Sequence, residues 1–160
     1  LLAALGDAPQ ARPTPPWPPA VLADPGGTAQ AEGSLPASLA AFQAWCAACH
    51  LGSEASPPNF LHGPAEGLAA RLRQCAPRIY IRLAMARLPA AARAKTPMPP
   101  ETLLPALGSH AAAWAASPAR AGLEATVATM LKAESGRDPD IDTLLAGGYE
   151  ALRPCLAPTP

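Results

Sequence analysis

The chain reads as an all-α protein, on three observations. No segment alternates apolar and polar positions with the period of two that a half-buried strand needs. Residues 38–50, "SLAAFQAWCAACH", are alanine-rich and free of Gly and Pro. Residues 122–135, "GLEATVATMLKAES", set Leu123, Val127, Met130 and Leu131 at i, i+4, i+7 and i+8, which is one apolar helix face.

The elements follow in order. Residues 1–36 hold eight prolines, densest in "PTPPWPPA". Proline lacks an amide donor and fixes φ, so this segment reads as an extended linker or wrapping peptide, with Trp17 as an anchor onto the domain surface. A helix is expected over 38–50, with Ser38 as its N-cap. "LGSEASPPNFLHGPAEG" is a loop by its turn residues. "LAARLRQC" and "PRIYIRLAMARL" predict two short helices, Pro77 opening the second. "PAAARAKTPMPP" is irregular, "TLLPALGSHAAAWAAS" partly helical, and residues 122–135 form the last long helix. Residues 135–160 are a C-terminal extension. There is no internal repeat.

Composition narrows the function. Hydrophobic residues make up 49% of the 160, but alanine supplies much of that, and there are only three Trp, two Tyr and two Phe. Such a core is thin, and an internal cofactor would thicken it. The formal net charge is zero, so nothing draws the chain globally to nucleic acid or an anionic membrane. No apolar run approaches the ~20 residues that span a bilayer. The opening "LLAAL" lacks a basic flank and no Met precedes it. The chain therefore reads as a processed form or a piece of a longer protein, or as a soluble protein with a ragged end.

Two of the four cysteines sit in "CAACH", residues 46–50. Three chemistries use such a pair: a redox dithiol, half a zinc site, or a covalent haem anchor. On a helix, positions i, i+3 and i+4 share a face, so Cys46, Cys49 and His50 point the same way. Two thiols can add to the vinyl groups of a haem while the imidazole binds its iron. A zinc site needs a second close ligand pair, and Cys75 and Cys155 stand far apart. A thioredoxin-type dithiol expects a βαβ context. The haem anchor accounts best for the pattern.

A second axial ligand must come from elsewhere. Met98 lies in "KTPMPP", where flanking prolines stiffen the backbone and exclude helix. Met85 and Met130 sit in apolar helical patterns, where methionine usually fills core. His62 and His110 flank turns and would give a bis-histidine site. Met98 is the preferred ligand.

These motifs resemble the class I c-type cytochromes over residues 37–134. "FQAWCAACH" resembles their N-terminal helix, with Phe42 four residues before the first cysteine. "PPNFLHG" is similar to the loop after the haem-binding histidine, with Phe60 as an extra residue. "TPMPP" resembles the methionine loop and "LEATVATMLKA" the C-terminal helix. The resemblance implies a cytochrome c-like helical fold around one covalently bound haem c. It implies Cys46 and Cys49 as thioether anchors, His50 and Met98 as axial iron ligands, and the Pro58 carbonyl as acceptor for His50 Nδ1–H. The family's C-terminal helix carries an aromatic that packs on the N-terminal one. Residues 123–134 have none, so Trp114 or Tyr149 is expected in that role.

The implied function is single-electron transfer, without bond chemistry of its own, as a domain or subunit of a larger redox system. The alternative is an open haem site used for catalysis or ligand sensing. Haem attachment in bacterial members is extracytoplasmic, which implies a periplasmic setting, with membrane association only through a tether or partner. That compartment permits disulfides, so Cys75 and Cys155 are expected to pair and staple the extension to the domain. Between Glu66 and Glu101 there is no acidic residue, while Arg71, Arg73, Arg78, Arg82, Arg87, Arg93 and Lys95 fall in that interval. One or two of these would meet haem propionates. The rest would either steer an acidic redox partner or form an ordinary solvated face.

Overall fold

Phe42, Leu72, Ile81, Leu104, Trp114, Leu123 and Val127 are almost wholly withdrawn from solvent, and they come from every major helix. The computed structural model describes residues 37–156, and there the protein is all helix, turn and loop, with no strand among the described residues. The proline-rich segment 1–36, with Trp17, lies outside the described residues, as does the end of the tail. Five α-helices follow one another: α1 Ala37–His50, α2 Leu68–Ala84, α3 Ala111–Ala116, α4 Pro118–Ser135 and α5 Ile141–Leu145. Single 3-10 turns link them, among them Met85–Arg87, Leu104–Leu107 and Tyr149–Ala151.

The packing is α2 on α4, with α1 crossing α4 and α5 set against α2. Helix α4 shows why the local sequence chooses its ends. Ser117 Oγ accepts the Arg120 amide at 3.1 Å, Pro118 fills the first turn, and Gly136 stops the helix at φ 73°, a left-handed conformation that glycine adopts without steric cost. The face expected from the periodicity is inward: Leu123, Val127 and Leu131 are buried and Met130 packs beside them. Helix α1 begins at Ala37, one residue before Ser38, the expected cap.

Helix α2 departs from expectation. The sequence predicts two helices broken at Pro77, but Leu68–Ala84 is continuous with Pro77 inside it. A proline removes the amide that would bond to the carbonyl four residues back, here that of Arg73. The C-terminal extension replaces the missing donor. Arg153 Nη2 donates to the Arg73 carbonyl at 2.6 Å and its Nε to the Gln74 carbonyl at 3.0 Å. Leu72, Cys75, Ala76, Ile79, Tyr80 and Leu83 are buried on both sides of the proline. Each large apolar side chain so covered contributes about 1.5–3 kcal/mol, enough to favour one helix over two.

The same extension is held at several further points. Cys75 and Cys155 are joined by a disulfide across 80 residues of sequence. Gln74 Nε2 donates to the Pro154 carbonyl at 2.8 Å, and Tyr80 Oη donates to that of Pro139 at 3.1 Å. Asp140 starts α5 by accepting the Thr143 amide at 2.8 Å. Residues 136–156 thus pack on α2 as part of the same body.

Candidate functional site

A cavity of about 90 Å³ opens between α1, α2, the Met98 loop and the C-terminal extension. Helix α1 gives it Trp45, Cys46, Cys49 and His50, and the following loop gives Pro58 and Phe60. Helix α2 contributes Arg78, Ile79, Arg82 and Leu83, and Met98, Pro99, Pro100, Leu103 and Trp114 come from beyond it. Leu123 of α4, Tyr149 and the Cys75–Cys155 disulfide complete the lining. All five residues singled out in the sequence (Cys46, Cys49, His50, Pro58 and Met98) therefore face one space.

His50 is set by its loop. The ring is buried, and Nδ1 stands 2.6 Å from the Pro58 carbonyl. A carbonyl can only accept, so Nδ1 carries the proton and the Nε2 lone pair is left for a metal. The loop is folded back to make this bond: Leu61 N–H reaches the His50 carbonyl at 3.1 Å, and Arg71 grips the Phe60 and Pro64 carbonyls. The Phe60 ring lies 4.4 Å from that of His50. Burial holds the His50 pKa below its usual value, the Pro58 bond opposes this, and the Arg82 charge adds to the lowering. The neutral imidazole is the form that ligates.

Cys46 and Cys49 are free thiols, the second exposed. Burial, with the neighbouring Cys49, pushes the Cys46 thiol up to about 12. A redox-active dithiol needs the opposite, a thiolate favoured at neutral pH. With Cys75 and Cys155 bonded to each other, no further cysteine is left for a zinc site. Among the described residues no three His, Cys, Asp or Glu side chains are arranged to hold a bare ion.

The competing axial candidates lie elsewhere. Met85 is core, 1% exposed. Met130 packs on α4. His62 is exposed and paired with the Leu51 carbonyl, and His110 caps α3. None of the four lines the cavity.

The donor set suits a haem. Thiols and imidazole stand on one helix face, a soft thioether stands on another wall, and the lining between is mostly apolar. Arg82 Nε adds a separate indication: it is buried and has no hydrogen-bond partner among the described residues. Leaving such a group unpaired is costly, and a cofactor carboxylate reaching it would satisfy it.

Sequence reasoning did not place Trp45, Tyr149 or the disulfide at this site. Trp114 does meet α1, in tilted contact with Trp45 at 4.5 Å between centroids, but from α3. Tyr149 instead lies under Arg78, Arg82 and Lys95, each within 6 Å of its ring. The basic interval also looks different in three dimensions. Glu124 pairs with Arg87, Glu101 with Arg93, and Glu150 with Lys95 and Arg78. Acids from outside the interval fold onto it, so much of its expected field is neutralised locally.

No protein-family model matches the sequence, and comparison with curated proteins and with solved structures finds no match.

Proposed function

We propose that this chain is a single-haem electron-transfer domain of the c-type cytochrome kind. The observation that carries the proposal is that Cys46, Cys49 and His50 of α1 share one cavity with Met98, which comes from a loop outside that helix. A bound haem would supply a one-electron couple. The protein's part is to hold it: Cys46 and Cys49 by thioether bonds, His50 by Nε2 and Met98 by its sulfur. The Pro58 carbonyl fixes the His50 tautomer, and Phe60 restricts its ring. Arg82 offers a charge-assisted bond to a carboxylate. The apolar lining excludes water and, with thioether ligation, favours the reduced state. With His50 and Met98 both binding the iron, no position would be left for substrate, which favours a carrier over an enzyme.

The disulfide supports an oxidising, extracytoplasmic setting. A redox partner with acidic groups at its docking face remains part of the proposal, though the ion pairs on Arg78, Arg87, Arg93 and Lys95 limit how far it would be steered.

The test is the absorption spectrum of the oxidised and reduced protein. A low-spin spectrum with a sulfur–iron charge-transfer band is expected. A high-spin spectrum in the unaltered protein would instead favour an open site for catalysis or sensing.

A further inference from the structure

Residues 97–100 read Pro-Met-Pro-Pro. Proline has no N–H, so Met98 owns the only main-chain donor in this stretch. The segment cannot bind itself into a ladder, and its hold on the protein must come from outside. Two long-range bonds at Met98 supply it. The Met98 N–H donates to the Arg82 carbonyl at 3.1 Å, in the last turn of α2 where carbonyls lack helical partners. The Met98 carbonyl accepts from Trp114 Nε1 at 3.1 Å.

The second bond is the unusual one. Trp114 is 1% exposed, so its indole N–H is withdrawn from water. Its indole can only donate. The ring is itself held by Trp45, the residue before Cys46, and α3 is tied to α4 by Arg120 Nε on the Ala115 carbonyl at 2.9 Å. A chain of contacts thus runs from the helix carrying the two cysteines, through two indoles in tilted contact, to the backbone of the methionine.

We infer that Trp114 is a positioning residue for the Met98 sulfur, acting through the Met98 carbonyl. The inference rests on the His50/Met98 reading of the site. A thioether is a weak ligand to oxidised iron, and its competition with external ligands depends on how firmly its backbone is held. Loss of a supporting bond around a metal site typically costs about 10–100-fold in affinity.

The test uses the full haem-loaded protein and imidazole as probe. Trp114→Phe keeps an aromatic ring against Trp45 and removes the N–H. It is expected to raise the affinity of the oxidised protein for imidazole about tenfold or more. Leu131→Ala, a core truncation on α4 away from the cavity, controls for general loosening and is expected to leave that affinity at the wild-type value. A second measurement needs no variant. Coupling is reciprocal, so imidazole binding to the unaltered protein should speed hydrogen exchange at the Trp114 indole nitrogen. Should Trp114→Phe fail to fold, this exchange measurement decides. A loaded protein with sulfur ligation, in which neither imidazole affinity nor indole exchange responds, overturns the role of Trp114 alone. A chain without covalent haem, or a haem without sulfur ligation, overturns the reading of the site and this inference with it.

Discussion

The two sides of the cavity are built in opposite ways. On the α1 side, Cys46, Cys49 and His50 lie within five residues, and helical periodicity alone puts them on one face. On the far side, Met98, Trp114, Tyr149 and Cys155 come from a loop, a short helix, a 3-10 turn and the tail. Nothing local unites them. They meet because α2 packs on α4 and the C-terminal extension is fastened to α2. The α1 side is therefore robust to the rest of the fold, while the far side depends on long-range bonds. Damage to the two sides should have different signatures.

The largest effect is expected on the local side. Replacing Cys46 and Cys49 together with Ala should abolish covalent haem, leaving any bound haem extractable in acidified organic solvent. Retention of haem through extraction would show that the anchor lies elsewhere. On the far side, Met98→Ala should leave attachment intact. It should convert the iron to a high-spin form that binds external ligands, with a lowered potential. An unchanged oxidised spectrum would mean that another side chain ligates.

Next in size is the fastening of the extension. Closing a loop of this length is worth about 4 kcal/mol in the chain-entropy model. Changing Cys75 and Cys155 together to Ser should therefore lower the thermal midpoint by about 10 °C, at roughly 2–4 °C per kcal/mol for this size. The haem should stay attached. Equal loss of haem and of stability would mean that the two sides are not separable. The smallest effect belongs to Arg153→Ala, which removes the donors to the carbonyls beside Pro77. A cost of about 1 kcal/mol, or 2–4 °C, is expected in thermal melting. Suppressing it by also changing Pro77 to Ala, which restores the amide, would confirm the cause.

The same contrast explains what the sequence disclosed. Cys46, Cys49 and His50 could be read from spacing because a helix makes spacing into direction. Met98 could be read from its flanking prolines, and the Cys75–Cys155 pair by counting once an oxidising compartment was expected. The all-α class and the inward face of α4 were legible for the same local reasons. The continuity of α2 through Pro77 was not, because the replacement donor, Arg153, is distant in sequence and has no motif. Tyr149 under three cations was equally hidden, and so was the pairing of Glu101, Glu124 and Glu150 with the basic interval. Trp114 could have been suspected: a stretch with three prolines and one amide must find its partners elsewhere, and buried indoles seek acceptors.

The mass of the intact protein after denaturation and acid extraction tests the central claim most directly. Thioether bonds survive that treatment and axial bonds do not. A mass equal to the chain plus one haem, with one disulfide, is expected when the protein is made in an oxidising, haem-attaching compartment. A mass matching the bare chain from that same compartment would contradict the proposal that Cys46 and Cys49 anchor a haem.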